Sequence, residues 1–317
     1  MADVAVVGVG AIGGVLASEL LAAGRHAVRL CVRIGFSGLV RDYAGRTYRH
    51  AVSPLTRPAP GPPVDWVLLA TKAHQVDAAA GWLPALMGPH TRVAVVQNGV
   101  EHTDRLARHV RPAAVVPVVV NCPSTAVAPG HVEQYGPMLL TMPDDAGGQA
   151  LHELCTGTAV RTAVVEDWLT VAWTKLCFNA VSGSLTTLTG RPHEVFRDDA
   201  IAELGRRLAR EVVAVGRACG ADLPDSLVEE TLADLRSRRP ESGNSILHDR
   251  RRGRPLEYDA RNGVVSRKGA EHGIPTPYSD TIVALLGALS DPHRALSDPH
   301  RALSDPHRAL AGPDGAR

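Results

Sequence analysis

The chain has 317 residues, 44% of them hydrophobic and 21% charged, with a formal net charge of +1. Single hydrophobic cores stop growing at about 250 to 300 residues, so two domains are expected. The near-neutral, globular composition carries no basic excess to draw nucleic acid or an anionic membrane, and gives no sign of a macromolecular partner.

The five cysteines (Cys31, Cys122, Cys155, Cys177 and Cys219) are odd in number and widely spaced, without a CxxC pair or a zinc-ligand spacing. No metal is therefore expected, and a reducing cytoplasm is the expected compartment. The apolar stretch "VAVVGVGAIGGVLASELLAAG" follows Asp3 rather than a basic region and is interrupted by Glu19, unlike a signal peptide. No other run reaches the roughly 20 apolar residues that span a bilayer.

In chain order, residues 4–10 ("VAVVGVG") are dense in β-branched side chains and read as a strand buried on both faces of a parallel sheet. The following segment sets Ile12, Val15, Leu16, Glu19, Leu20 and Ala23 at helical spacing, with Gly24 where a C-terminal cap belongs. "HAVRLCVR" reads as the second strand. Residues 46–63, rich in proline and arginine, are expected to be irregular. Further strands are expected within 66–72, 92–100 and 114–121, alternating with crossover segments. That alternation predicts an α/β fold, a doubly wound sheet over residues 1–165. From Glu166 onward helical periods dominate and strand signals nearly vanish, which predicts an all-α domain over 166–289. "SDPHRAL" then occurs three times, from Ser290, Ser297 and Ser304. A proline in every unit breaks any coiled coil. Residues 290–317 thus read as a low-complexity, disordered tail rather than a metal site at His293, His300 and His307.

"GVGAIG" (8–13) is a GxGxxG between a strand and a helix, the arrangement of a Rossmann-type nucleotide-binding domain. Gly8 permits the tight turn, Gly10 lets backbone approach a pyrophosphate, Gly13 lets helix pack on strand, and the helix N-terminus attracts the anion. About twenty residues on, an NAD-binding chain carries an acid for the ribose 2′-hydroxyl, whereas this strand ends in Arg33, which suits the 2′-phosphate of NADP(H). Lys72 in "ATKAHQ" can add a second positive charge at the same mouth of the sheet, and together they favour NADP over NAD. Asn98 in "VVQNGV" sits at a strand's carboxyl end, where it either meets a nicotinamide or substrate group or forms a turn.

In "WTKLCFNAV" (173–181), Lys175 and Asn179 stand four apart on one helical face amid large apolar residues. Lys175 either snorkels to water or is a desolvated ammonium with a lowered pKa, suited to proton donation. In "NSILHDRRRGRPLEYDARNG" (244–263), Ser245 and Asp249 are four apart and Glu257 follows a loop containing Gly253 and Pro255. These residues either form a solvated charged turn or face the sheet's ligand edge across a cleft.

Up to about Leu289 the chain resembles the ketopantoate reductase (2-dehydropantoate 2-reductase) family. The resemblance is carried by "GVGAIGG", "TKAHQ", "QNG", "WTKLCFNAV", "NSILHDRRRGRPLEYDARNG" and "AEHGIPTP", in that order and spacing. It implies an NADP-dependent enzyme of pantothenate synthesis that reduces a 2-oxo acid. It further implies that Gly8, Gly10, Ala11, Ile12 and Gly13 bind the pyrophosphate, that Arg33 and Lys72 bind the 2′-phosphate, and that Asn98 lies near nicotinamide and substrate. Lys175 matches the general acid that protonates the developing alkoxide, and Asn179 and Ser245 match substrate-binding positions. Glu257 matches a carboxylate that closes the site around cofactor and substrate, and Ala126 a backbone contact to the cofactor. One departure stands out. Members carry a second asparagine four residues beyond the one matched by Asn179, where this chain has Gly183. The lost amide weakens the expectation of ketopantoate in particular and leaves the reductase chemistry in place.

Two other readings compete. β-Hydroxyacid dehydrogenases also join GxGxxG to a helical domain with a lysine and an asparagine four apart, but "NCPSTAVAPG" matches their "DAPVSGG"-like segment poorly. A non-catalytic NADP(H) sensor would need the glycines, Arg33 and Lys72, but not Lys175 together with Glu257. The oligomeric state stays open, a homodimer being one outcome.

Overall fold

The computed structural model describes residues 1–290. The SDPHRAL units beyond Ser290, with His293, His300 and His307, lie outside the described residues. The chain opens with β1 (Asp3–Val7), α1 (Ala11–Ala23) and β2 (Ala27–Cys31), then a hairpin of β3 (Gly38–Tyr43) and β4 (Arg46–Ala51). It continues through β5 (Trp66–Leu69), the short helices α2 (Val76–Ala80) and α3 (Leu83–Leu86), β6 (Arg92–Val95), α4 (His102–Leu106) and β7 (Val115–Pro117). Strands β8 (Val119–Asn121), β9 (Ser124–Ala128), β10 (His131–Gln134) and β11 (Leu139–Pro143), helix α5 (Ala146–Leu154) and β12 (Arg161–Val165) complete this half.

Five parallel strands form the main sheet in the order β2-β1-β5-β6-β7. Their Val, Ala and Leu residues are mostly buried, as expected of a sheet covered on both faces. Strand β1 lies where the order reverses, with β2 on one side and β5 on the other. Its carboxyl end therefore opens on the crevice in which such sheets bind ligands. Two smaller sheets, β4-β3-β10-β9 and β12-β11-β8, flank it. Helix α1 packs against β3, β9 and β10 as well as the main sheet, so even Glu19 is buried. That carboxylate pairs with the buried Arg41 of β3, whose Nε donates to Ser18 and whose Nη1 donates to Gln134 at 2.8 Å. The charge that interrupts the apolar N-terminal run is thus satisfied inside the domain.

Two expectations are corrected. Residues 46–51, expected to be irregular, form β4, because Ala44 (φ 50) and Gly45 (φ 75) make the tight left-handed turn that closes a hairpin with β3. The single strand expected within 114–121 is two. β7 ends at Pro117 on the edge of the main sheet, where a missing N–H disrupts no ladder, and β8 pairs instead with β11.

The second half comprises α6 (Trp168–Thr189), α7 (Asp199–Ala218), α8 (Leu227–Ser237), α9 (Ser245–Arg251), a π-helical turn at Asp259–Gly263, α10 (Val264–Glu271) and α11 (Pro277–Ser290). Among the described residues no strand follows Val165. The architecture is therefore a Rossmann-type α/β sheet followed by an all-α region. The Asp167 carboxylate caps α6 by accepting from the Thr170 N–H at 2.9 Å, and Gly190 in the left-handed conformation ends it. Its 22 residues span roughly 33 Å at 1.5 Å per residue. Trp173, Leu176, Cys177, Ala180, Val181 and Leu185 bury it among α7, α8 and α11. Lys175 instead reaches toward β8. No helix among the described residues is long and apolar enough to cross a membrane.

Candidate functional site

The glycine loop after β1 has the geometry of a phosphate cradle. Gly8 has φ +91°, and a Cβ on it would stand 2.6 Å from Thr71 Cγ2, at the end of β5. A Cβ on Gly13 would collide with the Gly8 carbonyl oxygen, so α1 can start this close to β1 only with glycine there. Around Gly10 nothing lies within 4 Å of where a Cβ would be, and α1, beginning at Ala11 and Ile12, has no side-chain cap. Bare backbone N–H groups at a helix N-terminus, beside open space, fit a pyrophosphate. Arg33 lies exposed just past β2 and forms no ion pair among the described residues.

The other predicted residues meet where α6, the 97–99 loop and the turn after α9 converge. The Lys175 ammonium donates to the Val120 carbonyl of β8. Burial pushes its pKa down to about 8, the Arg261 guanidinium pushes the same way, and Glu257 and Cys122 oppose them. Glu257 is buried. Its Oε1 accepts from the Ala73 N–H at 2.9 Å, and its Oε2 accepts from Asn98 Nδ2 at 3.2 Å and lies 3.8 Å from Lys72 Nζ. Burial alone would raise the pKa of this carboxyl. Lys72, Arg261, the Ala73 N–H and the Asn98 amide outweigh that and hold it below its ordinary value, so Glu257 is ionised.

Lys72 and Arg33, expected together, are engaged differently. Lys72 Nζ donates to the buried Asp249 of α9 at 2.9 Å, tying the sheet to the helical half. Ala126, expected at the cofactor, lies on β9, where its carbonyl accepts from Arg252 at 3.3 Å. The 97–99 loop is fixed from both sides. Gln97 Nε2 donates to Thr71 Oγ1 at 3.1 Å, and the Gln97 carbonyl lies 3.1 Å from Nε2 of the buried His102. Burial pushes the pKa of His102 down to about 4, so this histidine is a neutral strut. Gly99, at φ +107°, lets the loop approach the π-helical turn, because a Cβ there would stand 3.0 Å from the Ala260 carbonyl oxygen.

Sequence reasoning missed Arg261 and undervalued Asp249. Arg261 projects from the π-helical turn, a distortion frequent at functional sites. Its Nη2 donates to Ser245 Oγ at 2.9 Å and its Nη1 reaches the Asn179 carbonyl at 3.5 Å. The available signal was a charged residue four positions after Glu257 in a helical run. Ser245 itself opens α9, whose Asn244 cap accepts from the Leu247 N–H at 3.1 Å and donates to the Ser182 carbonyl of α6 at 3.2 Å. Lys72, Lys175 and Arg261 thus face Asp249 and Glu257, a cluster with one positive charge in excess. Between the halves, Gln97, Gly99, Val119, Lys175 and Asn179 border a cavity of about 10 Å³. That is room for one water.

The sequence-family models described as "Ketopantoate reductase PanE/ApbA" and "Ketopantoate reductase PanE/ApbA C terminal" match residues 4–147 and 167–290. The 2-dehydropantoate 2-reductase of Caulobacter vibrioides is 43% identical over 292 residues, covering 91% of this chain and 99% of that protein. That of Mycobacterium tuberculosis is 38% identical over 296 residues, covering 91% and 98%. The crystal structure of a ketopantoate reductase from Ralstonia eutropha superposes with a TM-score of 0.83 at 28% identity, covering 93% of this chain and 99% of that one. With both halves matched and the relatives aligned nearly end to end, the chain belongs to the ketopantoate reductase family.

Proposed function

We propose that this protein is an oxidoreductase that uses NADPH to reduce a 2-oxo acid to the 2-hydroxy acid. The names of the Caulobacter and Mycobacterium relatives suggest 2-dehydropantoate as the substrate. One observation carries the reading: the Lys175 ammonium leaves its apolar helix to meet the Val120 carbonyl of β8, near the Glu257 carboxylate that holds Asn98. Burial there lowers its pKa to about 8, so it is protonated at neutral pH yet ready to release its proton. The loop of Gly8, Gly10, Ala11, Ile12 and Gly13 holds the pyrophosphate, and Asn98, Ala126 and Glu257 border the rest of the cofactor. Arg33 supplies charge for the 2′-phosphate, with Lys72 a second positive group at the same sheet edge. When bound, the cofactor supplies the hydride that reaches the ketone carbon.

As the carbonyl oxygen gains negative charge, the Lys175 ammonium stabilises it and donates a proton. Asn179 and Ser245 orient the substrate beside that ammonium. Glu257 holds the Asn98 amide and the Ala73 N–H in place and helps keep Lys175 charged, so the acid and the substrate contacts are held together across the two halves. The five free cysteines suit a cytoplasmic location. Loss of NADPH absorbance on adding 2-dehydropantoate or other branched 2-oxo acids tests the reading, and Lys175→Ala should abolish turnover while sparing NADPH binding. NADPH binding without oxidation across such a panel would instead favour a sensor, and full activity of Lys175→Ala would remove the lysine from its role.

A further inference from the structure

Arg261 is 3% exposed, yet no carboxylate pairs with it among the described residues. Its two hydrogen bonds go to a hydroxyl and a carbonyl, and its Nε has no acceptor. A guanidinium carries five donors in a planar fork that matches a carboxylate, and burying one without an anion is costly. Asp249 and Glu257 act on it through space, but both are already committed. Asp249 accepts from Lys72, and Glu257 from Ala73 and Asn98. The guanidinium fits because residue 183 is glycine. A Cβ there would stand 2.8 Å from Arg261 Nη1 and 3.2 Å from Ile246 Cγ2. Lys175, Asn179 and Gly183 follow one another at four-residue steps along α6, so the guanidinium lies along the helix face that presents the Lys175 ammonium.

We propose that Arg261 is a substrate-binding residue: with Ser245 it takes the carboxylate of the 2-oxo acid, next to the ketone oxygen that faces Lys175. The proposal rests on the 2-oxo acid reductase reading and deepens it. At position 183 the glycine leaves room for a charged fork anchored on another element. Recognition therefore rests on the carboxylate that every 2-oxo acid shares. An ester or amide of the same acid offers no charge for the fork and should be a poor substrate.

The test compares kcat/KM for 2-dehydropantoate and for its neutral methyl ester in the wild type, Arg261→Gln, Arg261→Lys and Gly183→Asn. Loss of a charge-assisted, two-point contact should lower kcat/KM for the acid about 100-fold in Arg261→Gln, chiefly through KM, and leave the ester nearly unchanged. Gly183→Asn, which displaces the fork, should show the same acid-selective loss, and Arg261→Lys a smaller one. In parallel, titration calorimetry of the NADPH-loaded protein with oxamate, an unreactive 2-oxo monocarboxylate, and with neutral oxamide reads binding without turnover. The wild type should prefer oxamate, and Arg261→Gln should lose that preference. Equal losses on acid and ester, or an unchanged oxamate preference in the variants, would make Arg261 a strut between α6 and α9 and overturn the proposal. A wild type that binds oxamate through Arg261 but oxidises no NADPH would refute the reductase reading and leave the carboxylate site standing.

Discussion

Replacing Lys175 by methionine removes the ammonium and keeps an unbranched apolar stem of similar length. In the wild type, burial and the nearby Arg261 carry the pKa from 10.5 to about 8, which corresponds to about 3 kcal/mol against the charged form in the folded state. The hydrogen bond to the Val120 carbonyl returns about 1 to 3 kcal/mol of this and is lost in the variant. Lys175→Met should therefore be as stable as the wild type or up to about 2 kcal/mol more stable at pH 7, as often holds for residues kept for activity. The pH dependence separates this from simple repacking. The folded pKa lies below the unfolded one, so below pH 8 both states hold the proton and the penalty is complete. Between pH 8 and 10.5 the unfolded chain binds more protons, and wild-type stability rises relative to the variant by about 3 kcal/mol. Urea unfolding of both proteins across that range measures the difference, in which groups common to both cancel. The acid must also carry its proton to act. The reduction rate should be flat below a pH near 8 and fall about tenfold per pH unit above it, and the methionine variant should lose about 10² to 10⁴ in kcat. A rate that stays flat well above pH 9, or a stability difference independent of pH, would refute the desolvated general acid.

Three further outcomes follow from the same site. Arg33→Asp should lower kcat/KM for NADPH about 100-fold while sparing NADH, and an unchanged ratio would remove Arg33 from the 2′-phosphate. Glu257→Gln breaks a buried network joining Ala73, Asn98 and Lys72 and should cost about 3 kcal/mol in thermal or urea unfolding at pH 7. Because the folded pKa of Glu257 is depressed, its contribution is present above pH 4.5 and is lost as pH falls through the lower folded value. The wild-type advantage over Glu257→Gln should therefore shrink in acid, and a constant advantage would show that the carboxylate's charge is not what matters. Gly99→Ala places a Cβ at φ +107° and 3.0 Å from the Ala260 carbonyl oxygen, so it should lower stability by about 1 to 2 kcal/mol. It should also lower kcat by shifting Asn98, and a fully active, equally stable variant would show that the close approach of loop and turn is dispensable.

How far the sequence could be read follows from where each feature's cause lies. The glycine loop and the change from buried strands to helical periods have local causes, and residues 8–13 and α6 stand where the sequence pattern puts them. The β3–β4 hairpin does not announce itself, because its strands mix Arg, Asp, Thr and Tyr and owe their pairing to the turn at Ala44 and Gly45. Lys175 was ambiguous for a different reason. Whether a lysine beside an apolar face snorkels or is desolvated depends on its distant neighbours, here the Val120 carbonyl and Arg261. Gly183 is the sharpest case. In sequence it reads only as an asparagine missing from the resemblance, and Arg261 carries no reading of its own. Yet a glycine inside a helix costs about 1 kcal/mol relative to alanine, so its presence asks what fills the space of the missing side chain. The two residues come from different elements, and only their packing shows that the volume given up at 183 is the volume the Arg261 guanidinium occupies. Gly183 and Arg261 are thus one packing unit, and it brings a guanidinium to the helix face that carries Lys175 and Asn179.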